Sequence, residues 1–384
     1  MVPVDPAFPD VLRAAHNLKV LKIRETEFLL KQSPGLSDAI ISLSKLVSVD
    51  FHFGGDATAL VIHSMQSTPR RLAVEFIEST PGVLPSFTRL SNLPNLHSLD
   101  LHSARIIEPT EPDVRHSWPS ARELRLQSCS GSMSVFVQAF PNLRVLSLSN
   151  VSSGTSQGEP ITACWPRLEK LSARLPRDLE QWRITCPVHY LLYGNAITYG
   201  DEVENVCLGI RNSTPIVLSL SIVATFVQCW TNIVKDNPRL RALHLCLIDR
   251  GRYYGPGPCN LSAWMDHVLP VLGESKVMFL RLEIVGLPPV EYRDVDEVIA
   301  ERYSTRLASE VPALQCLALE IIPNPADNIW PTESQRRGWW WQIINDNGTR
   351  KLVSIPRRKG MRVQDYMTSV AFEPSMTSIE ALLH

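Results

Sequence analysis

The chain has 384 residues, and the 44% of them that are hydrophobic are enough for a substantial core. Its 38 basic and 39 acidic residues give a net charge of −1, which excludes a strong overall attraction to nucleic acid or to anionic membranes. No apolar run approaches the roughly 18 residues of a membrane span, and we expect no secretory signal. These totals favour a cytoplasmic or nuclear protein with neither a membrane nor a nucleic-acid partner.

One hydrophobic phrase recurs through the chain. After an anchor residue, usually proline, apolar residues follow two, five and seven positions later, as Leu96, Leu99 and Leu101 follow Pro94. Twelve copies have their anchors at His16, Ser44, Pro69, Pro94, Pro119, Pro141, Pro166, Pro187, Pro215, Pro238, Ser275 and Pro312. Most intervals fall within the 20–29 residues that are typical of leucine-rich repeats.

The spacing of this phrase predicts a short strand in each copy. Its last two leucines are two positions apart and share one face, whereas the residues four, six and eight positions after the anchor lie on the other face. A single strand cannot bury two leucines alone, so stacked copies must share one core in a parallel ladder. We therefore expect an α/β leucine-rich-repeat solenoid, a curved horseshoe with strands on its concave face and helices and loops on its convex face.

Several segments between the strand phrases have helical patterns. The residues before the first copy, DVLRAA (10–15), predict at most two helical turns. Helical return paths are predicted at 56–65, 131–140, 201–210, 223–234 and 261–269. Two insertions lengthen the last two intervals, a glycine- and proline-rich loop at 250–260 and a charged surface helix at 292–310.

The end of the chain is predicted to cap the array. We assign residues 1–330 to the solenoid, with about twelve repeats, and residues 331–384 to a capping helix, a last strand and a tail. TESQ (332–335) has a capping-box pattern, which predicts a helix through the tryptophans 339–341 and an end near Gly348. The tryptophans are expected to pack as core or cap, with a binding hot spot as the alternative. Two shorter predictions are a strand at 351–355 and a solvated turn at 356–360.

Four copies carry a family resemblance: WPSARELRL (118–126), FPNLRVLSL (140–148), WPRLEKLSA (165–173) and VPALQCLAL (311–319). They resemble the repeats of F-box proteins from mushroom-forming fungi, in which the phrase W/F/L-P-x-L-x-x-L-x-L recurs, and the resemblance covers nearly the whole chain. It implies a substrate receptor of a cullin-type ubiquitin ligase, whose F-box binds the Skp adaptor while the repeats hold the substrate. The first residues lead directly into a repeat without an F-box phrase, so we expect substrate-type binding but no Skp contact.

The predicted concave face carries the candidate binding residues. Asp50, Glu75 and Asp100 fall on three adjacent predicted strands, and His52 and His102 flank them. We hypothesise that this part of the face binds a basic segment of a partner protein, and the alternative is a hydrated, screened surface without a partner. The predicted partner-binding residues are Asp50, His52, Glu75, Asp100, His102, Arg125, Lys170, Arg174, Tyr193, His244 and Arg281.

No motif indicates catalysis, a cofactor or a metal. The sequence lacks G-x-S-x-G, H-E-x-x-H and a Walker loop, and none of its eight cysteines forms a C-x-x-C pair. His97, Asp100 and His102 make a poor metal set, because 97 and 102 differ by an odd number and lie on opposite faces of a strand. We therefore predict a protein that is not an enzyme and that holds no cofactor or metal.

An extracellular recognition receptor is the alternative class. Asn212, Asn260 and Asn347 match the N-glycosylation pattern, which a secreted repeat protein would use. The missing signal and the absence of cysteine-rich caps count against this class. A GTPase-activating repeat protein fits less well, because the repeats lack a regular asparagine after the strand.

Leu101→Asp tests the predicted ladder, because it places a charge in a row of leucines that excludes water. We expect a loss of several kcal/mol of folding free energy and unfolding of neighbouring repeats. Thermal unfolding followed by circular dichroism measures this loss. A variant that melts like the wild type would show that the register is wrong.

Overall fold

The structure is a computed structural model that describes residues 5–77, 82–84, 93–106, 117–153, 164–248, 261–287, 297–323 and 337–373. It confirms the α/β class, and the chain separates into two compact units. The first unit is Met1–Leu168 with Gln181–Arg183, and the second is Glu169–Glu180 with Ile184–His384. Fourteen of the described strands belong to long, mostly parallel sheet structure. Six of these strands lie in the first unit and eight in the second. Each of the twelve predicted phrases coincides with one of these strands.

The first unit contains two sets of parallel strands. Six strands follow one another in space as they do in the chain: β1 (Val20–Ile23), β2 (Ser48–Gly54), β3 (Arg71–Phe76), β5 (Ser98–His102), β7 (Glu123–Gln127) and β9 (Val145–Ser149). A second, four-stranded sheet is formed by β4 (Gly82–Leu84), β6 (Ala104–Ile106), β8 (Ser130–Gly131) and β10 (Ser152–Ser153). Each later repeat of this unit therefore pairs with its neighbour at two places.

A row of apolar side chains runs across the six strands in register. It consists of Leu21, Val49, Leu72, Leu99, Leu124 and Leu146. All six are at most 5% exposed, and the next row, which includes Leu101 and Leu126, is equally buried. The predicted parallel ladder of leucines is therefore confirmed within this unit.

The predicted register is wrong by two residues in the third copy. Leu72, not Val74, pairs with Val49, so the effective anchor is Ser67 and not Pro69. Ala73 therefore lies in the middle row between Asp50 and Asp100, and Glu75 pairs one row further along with His102. The error arises because the strand has an apolar residue at every second position from 72 to 76, so a shift by two leaves its pattern unchanged.

A backbone signature also repeats in the first unit. Five residues that stand nine positions after their anchors have positive φ: Glu25, Phe53, Ser103, Ser128 and Asn150. Except at Phe53, which lies within β2, the chain leaves the strand at this point, and the amide of Ser103 donates to the carbonyl of Gln127 in the next repeat (2.8 Å). The amide of Ser128 likewise donates to the carbonyl of Ser149 (2.7 Å). The left-handed conformation is unfavourable for non-glycine residues, and at Ser103 and Ser128 the hydrogen bond to the next repeat helps to offset this cost.

Five helices belong to the first unit: α1 (Phe8–Ala14), α2 (Thr26–Gln32), α3 (Pro34–Ile41), α4 (Asp56–Ser64) and α5 (Met133–Ala139). The short first helix and the helices predicted at 56–65 and 131–140 are confirmed, whereas α2 and α3 were not predicted. Helices α2 and α4 contact β2, and the apolar residues of α4 that face inwards, Val61 and Ile62, are buried. The helices thus cover the leucine side of the strands.

A buried carboxylate joins α2 to α4. Glu27 accepts hydrogen bonds from the amides of Ala57 and Thr58 and from the Thr58 hydroxyl. A Cβ at Gly55 would stand only 2.7 Å from the Glu27 carboxyl carbon, so only glycine admits this approach. Burial alone would raise the pKa of Glu27, but the amides of Thr58 and Ala57, Lys31 (3.1 Å) and the Thr58 hydroxyl together hold the pKa below its ordinary value.

The second unit begins with parallel strands. Its strands are β11 (Leu168–Ala173), β12 (Val188–Ile197), β13 (Val217–Val223), β14 (Ala242–Ile248), β15 (Phe279–Leu287), β16 (Cys316–Pro323), β17 (Arg337–Asp346) and β18 (Thr349–Ser354). Strands β12 to β16 are parallel, whereas β17 and β18 are antiparallel. Its helices are α6 (Pro176–Trp182, the last two residues in the first unit), α7 (Gly200–Ser213), α8 (Cys229–Lys235), α9 (Leu261–Gly273), α10 (Glu297–Glu310) and α11 (Arg357–Thr368).

The leucine row continues within this unit as Leu191, Leu218, Leu243, Leu280 and Leu317. The predicted register is again wrong by two residues at Pro215, since Ser219 and not Ser221 pairs with His244. The helices predicted at 201–210 and 261–269 are confirmed. Only the second half of 223–234 is helical, and the charged helix is described from Glu297 onwards. The loop at 250–260 lies outside the described residues.

The predicted capping helix is wrong. Residues 337–346 form β17, which pairs with β16, and Asn347 and Gly348 then make a turn in which both residues have positive φ, as a tight hairpin requires. The predicted last strand is confirmed as β18, but the predicted turn at 356–360 is the start of α11. The run of aromatic and β-branched residues prefers a strand, and TESQ lies outside the described residues.

The Glu27 contacts lead to a pH-dependent prediction. Because the pKa of Glu27 is depressed in the folded chain, its stabilisation is present above its unfolded pKa and is lost as the pH falls through its folded pKa. We expect Glu27→Gln to lower the free energy of unfolding by about 1–2 kcal/mol at neutral pH, with a difference that shrinks in acid. Urea denaturation at neutral and at acidic pH measures the free energy of unfolding of both chains. Glu25→Gln, at an exposed neighbour, is the control, and a loss that is independent of pH would contradict the carboxylate's role.

Candidate functional site

Six charged or titratable side chains lie together on the face of the first unit's strands that is opposite the leucine rows. We call them the first-unit cluster: Lys22, Asp50, His52, Glu75, Asp100 and His102. They occupy alternate positions of β1, β2, β3 and β5, so the same pleat that buries the leucines turns them away from the core. Neighbouring strands are about 4.8 Å apart, which brings side chains of adjacent strands into contact.

His52 links two of the carboxylates. Its Nε2 lies 3.0 Å from Asp50 Oδ1, and its Nδ1 lies 2.6 Å from Glu75 Oε2. Lys22 Nζ reaches the other oxygen of Asp50 at 2.7 Å. The three strands β1, β2 and β3 are thus connected by a chain of close polar contacts whose members remain partly exposed to solvent.

His102 pairs with a carboxylate on its own strand. Its Nε2 lies 3.0 Å from Asp100 Oδ1, and the two side chains are 33% and 26% exposed. The hydrogen bond to Asp100 raises the pKa of His102. Burial opposes this shift, and the negative charges of Asp100, Glu75 and Asp50 add to it. Protonated His102 is therefore a stabilised part of the cluster.

The charge of the first-unit cluster depends on pH. Its three carboxylates and one lysine leave a net negative charge, and protonated His102 cancels part of it. Arg125 is exposed and pairs with Asp100 in the middle row, so this arginine borders the cluster on β7, a strand that also carries Glu123. The cluster is hence an acidic patch, and it becomes more acidic as His102 loses its proton.

The predicted residues Lys170 and Arg174 belong to the second unit. Lys170 is half-buried on β11, with its ammonium group 5.6 Å from the centre of the Tyr190 ring. Arg174 directly follows β11 and is exposed. The two residues thus have different surroundings.

Tyr193 is not a surface residue, contrary to the prediction. It is 2% exposed, its hydroxyl donates to the carbonyl of Val206 at 3.4 Å, and burial raises its pKa. The register explains the error, because Leu191 pairs with Leu218 and Tyr193 follows it on the same, buried side of β12. A Cβ at Gly209 would overlap the Tyr193 hydroxyl, so α7 packs closely over this ring.

His244 and Arg281 belong to a second group of charges, which we call the second-unit cluster together with Glu283 and Glu320. Arg281 Nη2 lies 2.6 Å from Glu283 Oε1 and 2.9 Å from Glu320 Oε2. His244 Nε2 lies 3.1 Å from the same Glu283 oxygen. Arg281, Glu283 and Glu320 are all buried, which contrasts with the partly exposed first-unit cluster.

The chain's own C-terminal elements cover the second-unit cluster. Arg281 Nη1 donates to Gln364 Oε1 of α11 at 2.9 Å, and its guanidinium lies 5.8 Å from the ring centre of Trp340 on β17. Arg281 is 6% exposed, so its prediction as an open partner-binding residue is wrong, and His244 is only partly accessible. The alternating strand pattern identified the face, but it could not reveal that a helix more than 80 residues later covers it.

The tryptophan run confirms the packing prediction. Trp340 is 2% exposed and belongs to a core cluster with Phe279, Val363 and Met367, and Trp341 is also buried. Trp339 is partly buried. A signal for this packing was present in the sequence, since Gly360, Val363 and Met367 follow helical spacing, but the basic residues around them favoured a turn.

A cleft of 640 Å³ in the second unit lies between α7 and α8. Cys207 and Cys229 are part of its lining, and burial raises the pKa of both thiols, that of Cys229 to about 12. Protonated thiols are poor nucleophiles, and the cleft's Arg211 is held by Asp236 through two hydrogen bonds. The cleft therefore gives no indication of cysteine chemistry.

The residues weighed as a metal set are not brought together. His97 is exposed and its Nδ1 lies 2.9 Å from the carbonyl of Asn95, whereas His102 faces Asp100. In the part of the chain that the structure describes, no group of three His, Cys, Asp or Glu side chains is arranged to hold a metal ion.

Comparison of the chain with protein-family models and with curated proteins finds no match. Among the described helices, none is long and apolar enough to cross a membrane.

The His102–Asp100 pair gives a prediction for the histidine. We expect Asp100→Asn to lower the pKa of His102, because it removes the acceptor that stabilises the imidazolium. Since the folded pKa is raised, the pair's stabilisation is present below the unfolded pKa and is lost as the pH rises through the folded pKa. The stability cost of Asp100→Asn should therefore be largest in mild acid.

A proton NMR titration of the His102 ring measures this pKa in the wild type and in Asp100→Asn. Asp38→Asn removes a charge from an exposed helix position of the same unit and serves as the control. An unchanged His102 titration in Asp100→Asn would contradict the assigned pairing.

Proposed function

We propose that this chain is a leucine-rich-repeat horseshoe that works as a protein–protein interaction scaffold, related to the substrate-recognition subunits of F-box ubiquitin ligases. Twelve strand phrases, leucine rows in register and the recurring left-handed turn in the first unit support the repeat class. The W/F-P-x-L phrases support the relation to F-box proteins. The proposal concerns substrate-type binding and not a Skp contact.

The first-unit cluster is the observation on which the proposed binding role rests. Its carboxylates Asp50, Glu75 and Asp100 lie on adjacent strands at positions that the leucine core does not require to be charged. Lys22, His52 and His102 contact these carboxylates, and the cluster keeps more acidic than basic side chains. A positively charged partner segment would compensate this negative charge, which is a reason for the cluster to be acidic.

The fitting partner is a protein with an extended basic segment. Lysine or arginine side chains that arrive at the half-exposed carboxylates would compete with Lys22 for Asp50 and with the histidines for Glu75 and Asp100. Deprotonation of His102 removes one competitor, so affinity for a basic segment should rise with pH through the His102 titration. Screening by salt should weaken binding at a partly exposed site like this one.

The test compares the wild type with the triple variant Asp50→Asn, Glu75→Gln, Asp100→Asn. The probe is a fluorescently labelled peptide of eight alternating lysine and arginine residues, followed by anisotropy. We expect the triple variant to bind the peptide about tenfold more weakly or worse, because each half-exposed pair contributes up to about 1 kcal/mol. Its melting temperature at a pH above the His102 titration, where the Asp100 pair contributes least, should stay near that of the wild type.

A matched control removes the same number of charges elsewhere. The variant Glu180→Gln, Asp201→Asn, Glu301→Gln changes three exposed acidic residues outside the cluster and should bind like the wild type. If both triple variants bind the peptide equally weakly, the loss is explained by net charge alone. The cluster would then be a hydrated surface without a partner. Mass spectrometry of proteins captured from native cells by the wild type, but not by the cluster variant, then identifies the substrate-type partners that bind the cluster.

A further inference from the structure

Helix α11 and its flanks cover one face of the second unit's sheet. The row Val217, Ala242, Phe279 and Cys316 lies on the side of β13 to β16 opposite the leucine row, and these side chains are buried in one cluster. Trp340, Val363, Met367 and Phe372 complete that cluster from the C-terminal side. A face equivalent to the one that carries the open first-unit cluster is here occupied by the chain itself.

The helix binds this face through two kinds of contact. The apolar contact centres on Gly360, which lies directly on the Trp340 ring and leaves no room for a Cβ. The polar contacts are the Arg281–Gln364 hydrogen bond and a contact of 3.0 Å between His189 Nε2 and the carbonyl of Met367. A glycine, apolar residues three and seven positions later and a glutamine four positions later thus form the binding side of the helix.

The contact leaves polar atoms under the helix unsatisfied. Arg281 Nε, Glu320 Oε1 and Trp340 Nε1 are buried and have no hydrogen-bond partner among the described residues. The nearest cation to Glu320 Oε1 is Arg357, whose Nε is 3.8 Å away. Buried polar atoms without a hydrogen-bond partner destabilise an interface. Helix α11 is therefore bound less tightly than its apolar contacts alone suggest.

The helix has one apolar and one basic side. It follows β18 after only Ile355 and Pro356, and no side chain caps its first turn. Its outward side is basic and exposed, with Arg358, Lys359 and Arg362 in contact with solvent. The side of α11 that faces the sheet is therefore the one that a competing helix would have to reproduce.

We propose that the face of β13 to β16 around the second-unit cluster is a helix-binding groove that α11 occupies in cis, and that a basic amphipathic helix of a partner protein displaces it. Arg357 at the start of α11 lies 3.8 Å from the buried Glu320, so a partner helix with a basic residue in its first turn would reproduce this contact. The partner helix needs a small residue over Trp340, apolar residues one and two turns later and an acceptor for Arg281. This groove lies in the second unit, whereas the first-unit cluster lies in the first, so the two proposed binding sites share no residue.

Hydrogen exchange of the wild-type full chain tests whether α11 opens. We expect the amides of α11 to exchange at least tenfold faster than those of β14 and β15, because the helix leaves the sheet without global unfolding. Equal protection of α11 and of β14 and β15 would show that the helix opens only when the unit unfolds, and this would overturn the proposal.

Peptide binding tests whether the groove accepts a helix from outside. In full-chain Gly360→Leu the new side chain overlaps Trp340 and expels α11, so a labelled peptide of residues 355–373 should bind at least tenfold more tightly than to the wild type. Arg362→Leu adds the same side chain on the exposed side of the helix and should behave like the wild type. A peptide in which Val363 and Met367 are serine keeps the charge and should not bind.

The outcomes separate this proposal from the proposed function. The basic octapeptide should bind Gly360→Leu as it binds the wild type, because its site is in the first unit. Failure of the 355–373 peptide to bind a folded Gly360→Leu chain would overturn the groove and leave the first-unit cluster untouched. If Gly360→Leu loses its near-ultraviolet circular dichroism, the exchange experiment on the wild type decides.

Discussion

The in-register stacking of leucine rows is the constraint on which the rest of this molecule depends. Each strand brings only a few buried side chains, such as Leu99 and Leu101, and these become inaccessible to water only when the next strand supplies its own. Once the rows are aligned, the pleat determines where every other strand residue points. The positions of Asp50 and Asp100 relative to each other are thus a by-product of core packing.

The same constraint produces two different faces in the two units. In the first unit the alternate positions are polar, as at Asp50 and Asp100, and the face stays open to solvent. In the second unit the corresponding strands carry Val217, Ala242 and Phe279, which would expose an apolar surface if nothing covered them. Strand β17 and helix α11 provide that cover, so the choice between an open and a covered face is made by the residues directly before the leucine row, on the opposite side of the strands.

Much of the fold followed from the sequence, because the leucine spacing and the proline before the strand are local signals. The predicted register was wrong where apolar residues alternate beyond the phrase, as at Leu72 and Val74 or at Leu218 and Leu220. A shift by two residues leaves such a pattern unchanged. The tryptophan strand and α11 were missed for a different reason. Their local signals were outweighed by the capping-box pattern and by the basic residues of 356–360. Their packing against Phe279, more than 50 residues earlier, is a contact that no local pattern contains.

The charged residues of the site were harder to predict than the fold, because their role depends on burial. Asp50 and Arg281 both occupy the middle row, yet Asp50 is partly exposed while Arg281 is enclosed by Glu283, Glu320 and Gln364. An exposed pair costs little to break, so its members remain free to exchange partners. A buried pair cannot lose one member without a large penalty, so the second-unit cluster can change partners only together with its cover. The charges of the first face are therefore accessible as they stand, whereas those of the second are enclosed by the helix that lies on them.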